Sequence, residues 1–255
     1  MIIKSVSKAI EILNCFSYSK QVLAIGEISQ TTGYTKSTVS RLVSTLYNYG
    51  CVEKVDGYGK YRLGYKVYLW GILSQELNNL PTIAGSIMEK LRSECGEEVS
   101  LYKIEGDRRV CLLRIESLHE IARVGTIGDF LPLHAGAAGR VLLAYLQEEK
   151  RKKIVDRIPL ERYTSLTLTD PEKLEESLEK IRKKGYGISQ GEREPNAYSV
   201  VAPVWDARDQ VIASLSISGP NFRLTDKQLK MNIRGVLSAA KDISYKLGYG
   251  EEQQG

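Results

Sequence analysis

The first stretch of the chain alternates short helical patterns of apolar residues with polar breaks. A first helix is predicted, which Ser5 caps. Its apolar positions are Val6, Ala9, Ile10, Leu13 and Phe16. A short second helix is predicted over residues 27–31, and Gly33 then interrupts it, as a tight turn between two helices requires. A third helix is predicted over 36–47, capped by Thr35. This succession predicts a helix-turn-helix.

The third predicted helix has two unlike faces. Its apolar stripe consists of Val39, Leu42, Val43 and Leu46. The opposite face has no acidic residue and carries Ser37, Ser40, Arg41, Ser44 and Asn48. Small hydrogen-bonding side chains and an arginine fit the major groove, where arginine pairs with guanine and asparagine with adenine. The alternative is an ordinary solvated helix face.

Two strand-like runs follow, over 51–55 and 60–63, and the turn 56–59 between them is a hairpin signal. Three basic side chains lie on or near this hairpin: Lys54, Lys60 and Arg62. A basic hairpin directly after a recognition helix is typical of a wing, which contacts the phosphate backbone of DNA.

The net charge supports this interpretation only once it is located along the chain. Residues 1–75 contain nine lysines and arginines against four acidic residues, so they carry the whole net charge of +5. The rest of the chain is neutral. A positive charge confined to one small segment is expected if that segment binds a polyanion, although a moderately basic surface would look the same.

A connector follows over residues 65–77, with apolar side chains on nearly every face. Such a helix is normally buried between bodies, so we expect a linker helix that also dimerises the chain. The alternative is a core helix of a single domain. The run Asn78-Asn-Leu-Pro81 then breaks the chain and marks a domain boundary.

Beyond residue 80 the pattern alternates between helices and strands. Helices are predicted over 83–95, 137–146, 148–156, 171–184 and 225–247. Strands are predicted over 99–104, 110–115, 186–190, 200–206 and 211–218. Several hairpins flanked by helices predict an α+β domain built on an antiparallel sheet. The expected domains are a DNA-binding domain at 1–64, a linker at 65–79, a second domain at 80–247 and a flexible tail at 248–255.

Candidate ligand chemistry lies in this second domain. Ser216 and Ser218 alternate with apolar residues, so both hydroxyls face the same side of one strand. Ala137 and Ala138 begin a helix, whose free backbone N–H groups suit a carboxylate. A small organic acid is therefore the first expectation for a ligand. The serines could instead satisfy only hydrogen bonds at a strand edge.

The chain lacks the signals of an enzyme. His119 and His134 are accompanied by no nucleophile elbow, no Cys-His signature and no acidic metal cluster. The four cysteines form no Cys-x-x-Cys pair, so neither a zinc site nor disulfides are expected. We expect no catalytic residue, metal or cofactor. With no signal-peptide core and no long apolar run, we expect a cytoplasmic protein without membrane contact.

The motif Lys36-Ser-Thr-Val-Ser-Arg-Leu42, followed by Tyr61-Arg-Leu-Gly64, resembles the IclR family of bacterial transcription regulators. Tyr34-Thr35 departs from the Leu-Pro that is common in the family. In the C-terminal part the resemblance is carried by Leu131–Arg140, Ala202–Asp206 and Ala213–Pro220.

The resemblance implies a winged helix-turn-helix, a linker helix and a GAF-like or profilin-like effector domain. It implies a repressor or activator that binds a roughly palindromic operator in double-stranded DNA as a homodimer, or as a homotetramer built from two dimers. The expected DNA-binding residues are Lys36, Ser37, Thr38, Ser40, Arg41, Ser44, Asn48, Lys54, Lys60 and Arg62.

The effector-binding residues that the resemblance implies are Ile121, Val124, Ala137, Ala138, Ser189, Ser199, Ser216 and Ser218. Ser189 stands where family members often carry aspartate, and Ser199 where cysteine is frequent. A second hypothesis remains, in which a sensor or enzyme domain uses the winged helix for protein contacts. Salt-dependent binding to duplex DNA distinguishes the two hypotheses, because only the first requires it.

Overall fold

A computed structural model of the chain describes residues 2–17, 20–55, 59–77, 80–119 and 126–250. The chain divides into two compact units, residues 1–79 and 80–255. Across these described ranges, no helix has the length and apolar character that a membrane span needs.

The first unit combines helices with a small sheet. Its helices are α1 (Lys4–Leu13), α2 (Ile25–Thr32), α3 (Lys36–Asn48) and α4 (Tyr65–Leu77). Its strands are β1 (Leu23–Ala24), β2 (Val52–Val55) and β3 (Lys60–Leu63), which form an antiparallel sheet in the order β1-β3-β2. The core between α1, α2, α3 and the sheet contains Ile12, Ile28, Val39, Val43 and Val52. This arrangement is a winged helix-turn-helix, as predicted.

The first helix differs from its prediction. The residue before it, Ile3, provides no side-chain cap, and Ser5 lies within the helix rather than at its start. Val6 and Ile10 are about half exposed, at 53% and 52%, whereas Ile12 is fully buried. The helix is rotated so that Ile12 enters the core against α2 and α3, which leaves an apolar stripe on its outer side.

The turn between α2 and α3 forms as predicted. Gly33 has a φ of 72°, in the left-handed region where a side chain would be strained. Thr35 caps α3 by accepting a hydrogen bond from the backbone N–H of Thr38 at 3.4 Å. The Tyr34 hydroxyl donates a short hydrogen bond to the Glu11 carboxylate, which ties this turn to α1.

The second unit is built on one antiparallel sheet. Its strands are β4 (Glu98–Glu105), β5 (Arg108–Ile115), β6 (Phe130–Pro132), β7 (Gly187–Gln190), β8 (Ala197–Trp205) and β9 (Val211–Pro220). Their order is β6-β5-β4-β9-β8-β7. Helices α5 (Leu80–Cys95) and α9 (Asp226–Lys246) pack on one face. Helices α6 (Ala137–Ala144), α7 (Glu148–Val155) and α8 (Pro171–Lys184) pack on the other. The unit is therefore an α+β domain with helices on both faces of its sheet.

The central strands send different side chains to the two faces. Leu215 and Ile217 belong to the apolar core under α5 and α9. Ser214, Ser216 and Ser218 alternate with them and face the side of α6, where the Ser214 hydroxyl donates to the Ala138 carbonyl at 3.1 Å. Ser216 and Ser218 also line the cavity described below.

The chain end differs in part from the expected flexible tail. The backbone N–H of Tyr249 donates to the Ser244 carbonyl at 3.0 Å, and its ring stacks on Trp205 with centroids 5.6 Å apart. Tyr249 is therefore packed on the domain through its ring, whereas Gly250 is exposed. Residues 251–255 lie outside the described ranges.

Candidate DNA-binding surface and effector cavity

The outer face of α3 carries most of the predicted DNA-binding residues. Six of them are exposed: Lys36, Ser37, Ser40, Arg41, Ser44 and Asn48. Thr38 is half-buried, and its hydroxyl is hydrogen-bonded to Thr35 at 3.0 Å. Since Val39, Val43 and Leu46 are buried on the opposite side, the helix is fixed in orientation and presents only uncharged or positive side chains outward.

An open groove runs between α1 and α3. Its lining includes Lys4 and Lys8 from α1, opposite Arg41 and Ser44 of α3. The two lysines are spaced i and i+4, so they lie on one side of α1. They are basic residues on this surface that the sequence analysis did not select. Their i, i+4 spacing in the sequence indicates that both lie on one side of the predicted first helix.

The hairpin places its basic residues on two faces. In the β2–β3 register Glu53 lies opposite Arg62, and Lys60 shares their face of the hairpin, whereas Lys54 lies on the other face. Arg62 forms an ion pair with Glu53 at 3.1 Å. Glu53 also accepts the backbone N–H of Tyr65 at 2.9 Å, and this hydrogen bond, followed by the contact with Arg62, lowers the pKa of Glu53. The three predicted wing residues therefore do not form one basic face.

The second unit contains a polar cavity between the start of α6 and strands β7, β8 and β9. It is lined by Tyr102, Arg109, Gly136, Ala137, Ala138, Ser189, Glu192, Arg193, Glu194, Ala197, Tyr198, Ser199, Ser216 and Ser218. Six of the eight effector residues that the resemblance implies are in this set. The other two, Ile121 and Val124, fall in residues 120–125, outside the described ranges.

Paired serine hydroxyls form the floor of the cavity. The hydroxyl oxygens of Ser189 and Ser199 lie 2.9 Å apart, and those of Ser216 and Ser218 lie 3.0 Å apart. Ser199 and Ser218 are direct neighbours across β8 and β9, which joins the two pairs into one polar row. All four side chains are buried. A hydroxyl both donates and accepts, so this row can rearrange its hydrogen bonds around a polar ligand.

A buried ion pair closes one side of the cavity. The Glu192 carboxylate accepts two hydrogen bonds from the Arg140 guanidinium, one of them at 2.7 Å from Nη2, and one from the backbone N–H of Gly136 at 3.2 Å. Gly136 is the N-cap of α6, so this carboxylate lies at the positive end of the helix dipole. The backbone N–H groups of Ala137 and Ala138 follow it in the first turn.

The opposite side carries a buried arginine that sequence reasoning missed. Arg109 donates to the carbonyls of Pro132 and Ala135 at 2.5 and 3.1 Å. Its guanidinium lies 5.4 Å from the ring centroid of Tyr102, within cation–π range. Only the pairing of β5 with β6 brings Arg109 to the cavity, and β6 was not predicted. The cavity thus combines hydroxyls, backbone donors and fixed charges.

A chain that joins a winged helix-turn-helix to an α+β domain with a buried polar cavity has the design of an effector-responsive transcription regulator. Family comparison agrees with this class. The helix-turn-helix domain of IclR matches residues 5–56, and the C-terminal domain of bacterial IclR transcriptional regulators matches residues 75–245. The chain belongs to the IclR family. It is a DNA-binding transcriptional regulator with a C-terminal domain for a small-molecule effector, and not an enzyme.

Its relatives include regulators from several bacteria. The chain is 33% identical to the HTH-type transcriptional regulator KipR of Bacillus subtilis (strain 168), over 96% of this chain and 98% of that protein. It is 30% identical to the transcriptional repressor IclR of Escherichia coli (strain K12), over 97% and 90% of the two chains. A crystal structure of an IclR homolog from Microbacterium hydrocarbonoxydans in complex with 4-hydroxybenzoate superposes with a TM-score of 0.84, at 25% identity, covering 95% of this chain and 98% of that one.

Proposed function

We propose that the protein binds its operator through the outer face of α3 and the hairpin β2–β3. Arg41 and Asn48 read base edges, since arginine pairs with guanine O6 and N7 and asparagine with adenine N6 and N7. The serines and Thr38 contact bases or phosphates, and Lys36, Lys54, Lys60 and Arg62 contact the backbone. The absence of any acidic side chain on the exposed face of α3, among the described residues, is the observation that supports this assignment.

The protein acts as a homodimer in this proposal. Helix α4 exposes apolar side chains on more than one side, and each is at least 42% exposed: Tyr65, Tyr68, Leu69, Trp70 and Leu73. Further exposed apolar side chains are Val6 and Ile10 of helix α1 and Ile3, which directly precedes that helix. Exposed apolar surface of this kind marks an interaction site, and a second copy of the chain supplies the matching apolar surface. A dimer presents two recognition helices to the two halves of a palindromic operator.

Sedimentation of the full chain tests the dimer. The expected species has twice the chain mass of 28.6 kDa, or four times that mass if two dimers associate. Leu73→Glu should dissociate it, because a carboxylate would be buried in the interface. The matched control is Leu118→Glu, which changes a leucine that is 58% exposed in the second unit. A monomeric wild type, or equal effects of the two variants, would contradict the dimer.

The effector is a small organic acid bound in the serine cavity. The row of four buried serine hydroxyls beside the N-terminus of α6 is the observation that supports an organic acid as the ligand. Glu192 already accepts the N–H of Gly136, so the N–H groups of Ala137 and Ala138 are the donors for the effector carboxylate. The cavity is lined by two arginines, Arg109 and Arg193, and by Glu192 and Glu194. Arg140 pairs with Glu192 from outside the lining, so the set has an excess of one positive charge, which favours an anion.

Effector binding controls the operator affinity by a population shift. The effector favours one arrangement of the dimer, the connector α4 transmits it, and the spacing of the two recognition helices changes. A coupling free energy of about 1–3 kcal/mol is sufficient to change the operator affinity by roughly 5- to 150-fold. Because its target is bacterial DNA, we place the protein in the cytoplasm. An acid that binds the cavity without changing either operator affinity or oligomeric geometry would contradict this mechanism.

A further inference from the structure

A second buried ion pair lies on the same sheet as the cavity serines. Glu98 begins β4 and is 3% exposed, and its Oε2 lies 2.5 Å from Nη2 of Arg114 on the neighbouring strand β5. The hydroxyl of Ser100 donates to the other carboxylate oxygen at 2.9 Å. Neither Glu98 nor Ser100 was among the residues that the sequence pattern or the family resemblance selected.

The strand register places this pair beside the cavity floor. Glu98 is the direct neighbour of Ser218 across β4 and β9, and Ser100 is the direct neighbour of Ser216. Neighbours of this kind point to the same face of a sheet, with Cβ atoms about 4.5–5.5 Å apart. The polar row on this face therefore continues from Ser199 and Ser218 to the carboxylate of Glu98.

A gain in folding stability does not explain why the ion pair of Glu98 and Arg114 is buried at this position. Burying two opposite charges costs desolvation, and apolar residues of similar volume are often as stable or more stable. The adjacent residue Glu97 shows the contrast. It faces the opposite side, where both of its oxygens accept hydrogen bonds from Arg223 at 2.7 and 2.8 Å, and so ties β4 to the turn that follows β9. Glu98 instead contacts side chains of its own sheet face, next to the serines.

We propose that Glu98 is a specificity-determining residue of the effector site and selects carboxylic acids that carry a hydroxyl group on a neighbouring carbon. The inference rests on the proposed effector function of the serine cavity. The N–H groups of Ala137 and Ala138 attract the carboxylate of the ligand, so the ligand lies with its acid group toward α6 and its hydroxyl toward β4. Glu98 then accepts a hydrogen bond from that hydroxyl, and Ser218 donates one to it.

An acid without the hydroxyl leaves these buried groups without a ligand partner. A site that hydrogen-bonds a ligand hydroxyl binds the analogue that lacks it more weakly, because the analogue cannot form those hydrogen bonds. The preference is therefore expected to depend on Glu98 itself, and not on the general polarity of the cavity.

The test uses the full chain and three-carbon acids that differ only in their hydroxyl groups. Binding of glycerate, lactate and propionate is measured by calorimetry, with alanine as the amino analogue. The affinity should follow glycerate, then lactate, then propionate, with at least about a tenfold difference between the first and last. Lactate should bind more tightly than alanine, because Arg114 already neutralises Glu98.

Two variants separate recognition from folding. Glu98→Gln keeps the shape and should reduce the preference for glycerate over propionate by at least about threefold. The double variant Glu98→Ala with Arg114→Met removes both charges, leaves no buried charge unpaired, and should abolish the preference. Glu97→Gln is the matched control, since it changes the adjacent buried ion pair on the opposite face, and it should keep the preference.

Three results would overturn the inference. They are equal binding of the hydroxylated and unsubstituted acids, tighter binding of alanine than of lactate, and an unchanged preference in both Glu98 variants. If none of the acids binds while operator DNA is still bound, the inference fails and the assignment of the DNA-binding surface stands. If operator DNA is not bound either, the proposed function itself fails.

Discussion

The Arg140 guanidinium holds the Glu192 carboxylate against the first turn of α6, with Nη2 and Oε1 2.7 Å apart. Arg140 is the fourth residue of that helix, and Glu192 belongs to the loop between β7 and β8. The loop is held from its other side by Thr167, whose hydroxyl donates to the Glu192 carbonyl at 2.6 Å. Hydrogen bonds therefore join the start of α6 to the loop at the rim of the cavity.

Removal of the Arg140 side chain should destabilise the second unit. Arg140→Met leaves the largely buried Glu192 carboxylate without its cation, and such a change costs about 3–5 kcal/mol. Urea denaturation of the full chain measures the loss. The control is Lys152→Met, which breaks the exposed ion pair with Glu148 and should cause no measurable change. Similar losses in the two variants would contradict the account.

Helix α6 also depends on a close backbone approach at Gly139. A Cβ added there would lie 2.2 Å from the carbonyl oxygen of Leu133, and neither backbone segment can yield easily. Gly139→Ala should lower the free energy of unfolding by more than about 2 kcal/mol. Gly85→Ala in α5 is the control, because among the described residues a Cβ there meets only the Leu113 side chain, at 4.0 Å. A tolerated alanine at 139 would show that the packing of α6 is looser than described.

The buried His134 should make the stability depend on pH. Its Nε2 donates to the Glu161 carbonyl at 2.9 Å, and burial lowers the pKa of His134 below its usual value. The unfolded chain therefore takes up a proton at higher pH than the folded one. The contribution of His134 to the free energy of unfolding is fully present above the ordinary histidine pKa of about 6.5, and it is lost as the pH drops below that value.

Melting temperatures of wild type and His134→Gln, compared between about pH 7.5 and 5.5, check this dependence. The wild type should lose more stability than the variant over that window. Parallel pH profiles would mean that other groups account for the acid sensitivity.

The negative charge of Glu53 should lower the affinity of the hairpin β2–β3 for DNA. Glu53 shares a hairpin face with Lys60 and Arg62 and pairs with Arg62. Glu53→Gln keeps an acceptor for the Tyr65 N–H and removes the charge, so duplex affinity at low salt should rise about two- to fivefold. Fluorescence anisotropy with labelled duplex measures it, with Glu148→Gln in the second unit as control. An unchanged affinity would place this face of the wing away from the phosphates.

The pattern of hydrophobic and polar residues was sufficient for most of the fold. The helix-turn-helix, the hairpin, the connector helix and the main strands of the antiparallel sheet are where the periodicities predict them. Strands β1 and β6 were missed, because they have only two and three residues and exist through pairing with β3 and β5. The buried side of α1 differs from the prediction, because Val6, Ile10 and Ile12 are equally apolar and only the neighbouring helices decide which is buried.

The cavity was predictable only in part. The alternation of Ser216 and Ser218 with apolar residues indicates a shared face, and the family resemblance supplies Ser189 and Ser199. The charged residues of the cavity face could not be predicted from local sequence patterns. Arg109 and Glu98 reach the cavity face through strand neighbours that are distant in sequence, and no local pattern records such a register.

Binding of the purified protein to the DNA directly upstream of its own coding region, at two salt concentrations, tests the central claim most directly. The proposed recognition surface predicts tight, salt-sensitive binding that Arg41→Ala weakens by about 5- to 150-fold, since a bidentate arginine–guanine contact contributes about 1–3 kcal/mol. Arg157→Ala, which changes an exposed arginine in the second unit, should leave the affinity unchanged. Binding no stronger than to random DNA, both here and in a selection from genomic fragments, would contradict the account.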